Sequence, residues 1–261
     1  MNIFSLSGKT ALVAGASRGI GLAIAQQLAE AGARTTLAAR SMDTLLEHVQ
    51  ALQAKGLEAS ALRLDLADSQ SIRAAVEGME TPDILVNVAG TNIRKAFASY
   101  TPAEYDHIMR TNLHGIVELT QKIGARMVER GVGGKIVMIG SLMSLVGLPY
   151  ISVYAMTKGA LGQLTKALAA EWGRYNIQVN CIAPGFIVTD LNRRMWESPE
   201  SAKLRDWLKG VQANPRLGAP EDIAPLAVFL TGRGADYITG QIIAVDGGYT
   251  TTAVWPFEPE S

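Results

Sequence analysis

The chain has 261 residues, 48% of them apolar, and its 24 Lys plus Arg balance 24 Asp plus Glu to a formal net charge of zero. With no basic stripe and no apolar run near the roughly 20 residues that span a bilayer, neither nucleic acid nor membrane is an expected partner. This length suits one α/β domain covering 1–261 with a large core, and an N-terminus without the long apolar stretch of a secretory signal leads to the expectation of a soluble, cytoplasmic protein.

Thr10–Ala14 is a short apolar run that ends in Gly15-Ala-Ser-Arg-Gly-Ile-Gly21, and a helical pattern follows through Leu28 and Ala31 until Gly32. Strand, glycine loop and helix in that order form the setting in which backbone N–H groups and a helix N-terminus hold a phosphate. The spacing is Gly-x-x-x-Gly-x-Gly, not the commoner Gly-x-Gly-x-x-Gly, and a tight strand-to-helix turn without a ligand is the alternative. A second strand, Arg34–Ala39, runs into Arg40. Dinucleotide folds that take NAD place an acid near this strand end for the ribose 2′-hydroxyl, whereas an arginine accommodates a 2′-phosphate. Arg40, with Arg18 in the glycine loop, therefore favours NADP(H) over NAD(H); two ordinary surface arginines are the alternative.

Ser41 is expected to cap a polar helix that ends near Lys55 and Gly56. Strands follow at 59–64, before Asp65, and at Ile84–Asn87, with a helix from about Ser69 between them. Thr101-Pro-Ala-Glu104 spells a capping box with proline at the first helical position, so a helix starts there, and its pattern continues past Asn112 to about Arg130. Strands at 135–139 and 178–183 flank a helix that runs to about Tyr175. Pro184-Gly185 then opens a long segment, 184–217, in which Ser198-Pro-Glu is expected to cap a short helix. A segment of this length beside a sheet edge is expected to act as a lid. A helix at 221–230, a strand at Ile242–Val245 and a tail (250–261) carrying Trp255, Pro256 and Phe257 complete the chain; the tail aromatics are expected to dock, on a neighbouring subunit among other places. Alternating strands and helices predict a parallel sheet with helices on both faces. Cys181, the one cysteine, rules out an internal disulfide and reads as a buried thiol, and His48, His107 and His114 lack metal-ligand spacing, so no metal site is expected.

The chemistry gathers between Ser141 and Lys158. Tyr154 and Lys158 are four apart, which on a helix stacks their side chains on one face, and Ser141 is delivered from a strand end, where α/β sheets bind ligands. A phenol, an ammonium and a hydroxyl thus converge on one point as a proton-transfer site. Singly, each has a plain reading: a core tyrosine, a solvated lysine, a strand-end serine.

Together these residues resemble the short-chain dehydrogenase/reductase family over nearly the whole chain. Gly15, Gly19 and Gly21 resemble its cofactor loop, with Ser17, Arg18 and Ile20 inside it. Asp65, followed by Leu66, matches its adenine-contacting acid. Asn87-Val-Ala-Gly90 is similar to its Asn-Asn-Ala-Gly element, with Val88 in place of the second asparagine. Asn112, Ser141, Tyr154 and Lys158 match its catalytic tetrad, including the 13 positions from serine to tyrosine. Pro184, Gly185, Ile187 and Thr189 resemble its nicotinamide-side loop, and Val245-Asp-Gly-Gly248 its C-terminal signature. The resemblance implies a Rossmann-type, doubly wound seven-stranded parallel sheet, a nicotinamide cofactor contacted by these residues and by Arg40, Ala89, Gly90, Tyr154 and Lys158, and a homotetramer. Gly90-Thr-Asn-Ile-Arg-Lys95 and 134–158 are similar to gluconate 5-dehydrogenases and related sugar-acid dehydrogenases; 3-oxoacyl-carrier-protein reductases share almost everything else.

The implied reaction interconverts a ketone and a secondary alcohol, the small-molecule substrate, with Tyr154 moving the proton. A tyrosine pKa near 10 has to fall by roughly 2–3 units for work near neutral pH, and a cation within about 4–6 Å shifts a neighbour by about 1–3. Lys158 is therefore expected to supply most of that drop, Ser141 to fix the substrate oxygen, and Asn112, by the resemblance, to hold a relay water. Arg94 and Lys95 suit a substrate carboxylate, while Met143, Val146, Leu148, Met195 and Trp196 suit a less polar ketone. A cofactor-binding sensor on a retired enzyme fold is the reading from another class, and the intact tetrad argues against it.

Overall fold

The computed structural model describes residues 3–190 and 192–251, without the side chain of Met195; the expected docking of Trp255, Pro256 and Phe257 falls outside the described residues. In chain order the elements are β1 (Thr10–Ala14), α1 (Gly19–Glu30), β2 (Arg34–Ala39), α2 (Met42–Ala54), β3 (Ala59–Arg63), α3 (Ser69–Glu77), β4 (Ile84–Asn87), α4 (Pro102–Met109), α5 (Gly115–Arg130), β5 (Gly134–Ile139), α6 (Ser152–Trp172), β6 (Ile177–Pro184), α7 (Arg193–Glu197), α8 (Ala202–Val211), α9 (Pro220–Thr231) and β7 (Ile242–Val245). The strands form one sheet in the order β3-β2-β1-β4-β5-β6-β7, parallel at every pairing, which is the doubly wound architecture expected.

The period of two along a strand explains why helices cover both faces. On β1, Ala11 and Val13 join one core with residues of α1, α2 and α9, whereas Leu12 and Ala14 join the other with residues of α3, α5 and α6. Burying a side chain such as Leu12 is worth about 1.5–3 kcal/mol. Packing of this size, not propensity, holds a helix as short as α3, whose nine residues bury Ile72, Ala75 and Val76.

Local signals decide where the elements begin. Thr101 forms the predicted capping box: its hydroxyl accepts from Glu104 N–H, and Glu104 Oε2 accepts from Thr101 N–H at 2.8 Å. Ser41 and Ser198 stand at N-cap positions but do not cap. Their hydroxyls pair instead with Thr44 Oγ1 at 3.0 Å and Ser201 Oγ at 3.3 Å, because a nearby hydroxyl competes for the same oxygen. The helix expected to run unbroken past Asn112 is interrupted: Arg110–His114 winds as a π turn between α4 and α5, a local widening that sequence periodicity does not signal. The 184–217 segment carries α7, a single turn at Pro199–Ser201 and α8. Among the described residues no helix is long and apolar enough to cross a membrane.

Candidate active site

Because every strand is parallel, Ala14, Ala39, Asn87, Ile139 and Pro184 end on one edge, and the strand order reverses between β1 and β4. A crevice opens at such a reversal. The glycine loop lines it. Gly15 N–H donates to Ala38 O at 2.8 Å, and Gly15 (φ +101°) and Gly19 (φ +55°) adopt backbone that favours glycine. A Cβ on Gly15 would lie 2.6 Å from Ala89 N, and one on Gly19 would lie 3.2 Å from the Thr189 side chain. The loop after β6 is therefore drawn close over the loop after β1.

Arg18 is the extended N-cap of α1, with no side-chain cap and no acid in the first turn. The first N–H groups of the helix are left for a ligand, and the missing side chains leave room for one; both features fit a pyrophosphate. Arg18 and Arg40 are exposed, and among the described residues neither has a carboxylate partner. Ile20 is partly buried at the start of α1, and His48 Nε2 lies 3.1 Å from Ser17 O.

On the same side of the crevice, just past β3, Asp65 accepts from Ala67 N–H at 2.9 Å and Leu66 is buried. Valine at 88 leaves the sheet intact: Val88 and Ala89 N–H both donate to Ala14 O, at 2.9 and 3.0 Å, and β4 pairs with both neighbours. Asn87 Nδ2 donates to Thr120 Oγ1 at 3.0 Å, while its buried Oδ1 has no partner among the described residues.

Tyr154 and Lys158 sit one turn apart near the start of α6, with the Lys158 Nζ 5.7 Å from the centroid of the Tyr154 ring. Lys158 is 3% exposed, and its Nζ donates to Ile139 O at 2.8 Å, so the amine is tied to the end of β5. Ser141 follows that strand. The turn after it is bound to α6 by Ser144, whose hydroxyl donates to Lys158 O at 2.8 Å and whose N–H donates to Ser141 O at 2.8 Å. The Ser141 hydroxyl meets the phenol of Tyr154. Asn112, in the π turn, turns both amide atoms to Thr91: Oδ1 accepts from Thr91 N–H and Nδ2 donates to Thr91 O, each at 2.7 Å, and Nδ2 also reaches Thr157 Oγ1 at 3.5 Å. A Cβ on Gly90 would stand 3.6 Å from both Asn112 Oδ1 and Lys158 Nζ, which brings these three residues together.

The charge balance departs from the sequence expectation. Burial pushes the Tyr154 phenol up from its ordinary value, with the Ser141 hydroxyl opposing it, so the lysine does not bring the phenol down in the protein alone. Burial also acts on the lysine, pushing Lys158 down to about 8 from 10.5, with Cys181 opposing it. The folded chain thus holds this proton more weakly than the unfolded chain. The resulting cost is fully present below pH 8 and disappears as pH rises through 10.5. Relative to Lys158→Met, the wild-type unfolding free energy should rise by roughly 3 kcal/mol across that window, measured by denaturant titrations of both proteins at several pH values.

The chain after β6 gathers an aromatic cluster. Phe186, immediately after Pro184-Gly185, packs edge-on to Trp196 (6.1 Å), Trp207 (6.4 Å) and Tyr249 (5.3 Å), and Phe186 and Tyr249 pack with Tyr154, Leu148 and Met143 in one cluster. Gly185 N–H donates to Val245 O at 2.9 Å, buried Ile187 bridges to Gly218, and Thr189 N–H donates to Asn192 Oδ1 at 2.7 Å. Val146 is exposed. Lys95 is not free for a substrate carboxylate: its Nζ contacts both oxygens of Glu104 at 2.9 Å. The Thr101 N–H and then Lys95 hold that carboxyl down at about 2. Arg94 is exposed. Sequence reasoning did not place Phe186, Tyr249 or His48 at the site. The first two adjoin recognised motifs, which is a usable signal, whereas His48 carries none. Among the described residues no cluster of His, Cys, Asp and Glu could hold a metal.

An open parallel sheet with a glycine loop at the switch between β1 and β4, and Ser141, Tyr154 and Lys158 gathered past the end of β5, defines a class, the Rossmann-type oxidoreductases. Comparison makes this specific: residues 15–250 match a family model described as enoyl-(acyl carrier protein) reductase, and the chain belongs to the short-chain dehydrogenase/reductase family. It is 37% identical over 255 residues to gluconate 5-dehydrogenase of Gluconobacter oxydans, covering 96% of this chain and 98% of that one. It is 39% identical over 254 residues to a tropinone reductase homologue of Arabidopsis thaliana, covering 95% and 94%. Its structure is similar to that of a gluconate 5-dehydrogenase from Burkholderia cenocepacia in complex with NADP and tartrate, with a TM-score of 0.91, 36% identity and coverage of 97% and 99%.

Proposed function

We propose that this oxidoreductase uses NADP(H) to interconvert a ketone and a secondary alcohol on a sugar acid, with Tyr154 as the acid and base. The observation that carries the reading is the stacking of Tyr154 and Lys158 on α6 with the Ser141 hydroxyl on the phenol, beside the glycine cradle. When bound, the nicotinamide supplies or accepts the hydride. In the reductive direction the Tyr154 phenol gives its proton to the carbonyl oxygen, and burial keeps that phenol protonated near neutral pH, which suits an acid. The Lys158 ammonium stabilises the charge left on the phenol oxygen, and the Ser141 hydroxyl holds the substrate oxygen in line. Asn112 acts through Thr91, holding the Gly90 backbone against Lys158 as a positioning residue.

For the cofactor, the 15–21 loop and the α1 N-terminus take the pyrophosphate, Arg18 and Arg40 the 2′-phosphate, Asp65 and Leu66 the adenine, and Ala89, Gly90, Pro184, Gly185, Ile187 and Thr189 flank the nicotinamide end. The NADP named in the Burkholderia cenocepacia complex supports this choice. Arg40→Asp should weaken NADPH binding by about tenfold to a hundredfold, the value of one charge-assisted contact, and improve binding of NADH relative to it. Dissociation constants for both cofactors check it, and an unchanged preference removes Arg40 from the site.

Kinship with gluconate 5-dehydrogenase and the exposed Arg94 support a sugar acid. Turnover is followed by nicotinamide absorbance with gluconate and 5-ketogluconate against simple aryl and alkyl ketones; activity on the latter alone defeats the sugar-acid reading. A less polar ketone is the second reading, favoured by the Phe186, Trp196, Trp207 and Tyr249 wall and by the kinship with a tropinone reductase homologue.

A further inference from the structure

We propose that His48 is a positioning residue for cofactor selectivity, fixing the Ser17–Arg18 peptide at the corner that meets the adenosine 2′-phosphate; the inference rests on the NADP(H) reading above. His48 is partly buried on α2, the helix that starts two residues after Arg40, and its Nε2 lies 3.1 Å from Ser17 O. A carbonyl oxygen only accepts, so the nitrogen that faces it carries a proton and the imidazole is the donor. The described residues contain no cis peptide. In a planar trans peptide the C=O and the following N–H point opposite ways. Turning Ser17 O toward α2 therefore turns the Arg18 N–H away from α2 and fixes the residue at which α1 begins. Beyond this contact Arg18 is held on the helix side only, where its carbonyl accepts from Leu22 N–H at 3.3 Å; its backbone is extended and its side chain caps nothing. One imidazole thus joins the two segments that present Arg18 and Arg40, both exposed and without carboxylate partners among the described residues. Packing alone would be served equally by an apolar side chain, and the two roles differ in what a mutation does.

Dissociation constants for NADPH and NADH are measured on the full chain for wild type, His48→Leu, His48→Asn and His48→Gln, with a melting curve for each. Leucine keeps bulk without a donor, asparagine is polar but too short to reach the carbonyl, and the glutamine amide reaches it. His48→Leu and His48→Asn should weaken NADPH binding by about tenfold while NADH binding stays within about twofold, and His48→Gln should restore NADPH. Equal weakening of both cofactors, an unchanged NADPH constant, or rescue by no donor overturns the role of His48, while a wild-type preference for NADPH in the same titrations leaves the cofactor reading standing. Should one variant fail to melt cooperatively, the other two still decide the matter. A wild-type chain that binds NADH as tightly as NADPH overturns both together.

Discussion

Tyr154→Phe should lower turnover by about 10²–10⁴-fold, the range that a positioned proton donor contributes, while the constant for NADPH changes by no more than about twofold. The two readouts separate because the hydroxyl alone is removed. The ring stays in its cluster with Leu148, Met143, Phe186 and Tyr249, so the pocket keeps its shape. The lysine keeps its hydrogen bond to Ile139 O, which does not involve the phenol. Single-turnover hydride transfer under saturating cofactor measures the first quantity and fluorescence titration the second. Near-native turnover in the variant would remove Tyr154 from acid/base chemistry, whatever the arrangement of Ser141 and Lys158 around it.

A single methyl group should do comparable damage to the fold. Gly21→Ala places a Cβ 2.0 Å from Gly15 O and 2.8 Å from Gly15 C, contacts with backbone that has no rotamer to change. Alanine inside a helix ordinarily gains about 0.5–1 kcal/mol over glycine. That gain is outweighed by overpacking, here about 3 kcal/mol or more, a fall on the order of 6–12 °C in melting temperature for a chain of this size. Since the clash forces the 15–21 loop away from Ala14, NADPH binding should weaken in the same variant. Gly147→Ala is the control, because nothing lies within 4 Å of the Cβ it would add. Equal melting curves for the two variants would mean that the loop can move aside, and the close approach of α1 to β1 would then not be what holds the cradle.

The Lys158 result bears on how the site works. Sequence spacing places an ammonium beside a phenol and so predicts a depressed phenol. Burial instead raises the phenol and lowers the lysine, because desolvation disfavours the charged form of each and is the largest influence on both. A protonated tyrosine is ready to reduce a ketone. Oxidation of the alcohol requires the phenolate, and the lysine charge supports that state as the proton leaves.

Element identities and the order of the chemistry were legible in the amino-acid sequence by itself. Apolar period, glycine punctuation and the Thr101–Glu104 box are short-range signals. They located every strand within two residues, and the spacing of Ser141, Tyr154 and Lys158 survives folding because a strand end and one helical turn bring them together directly. The tertiary structure alone decided which charges are free and which are used. Lys95 is consumed by Glu104, the Asn112 amide by Thr91, and His48 reaches the Ser17 carbonyl, each across a separation that no local pattern records. The pKa directions and the aromatic wall belong to the same group. Burial and long-range contact arise only when β1 and β4 stand side by side and the chain on either side of them closes over one edge, so they are properties of the packed sheet and not of any one segment.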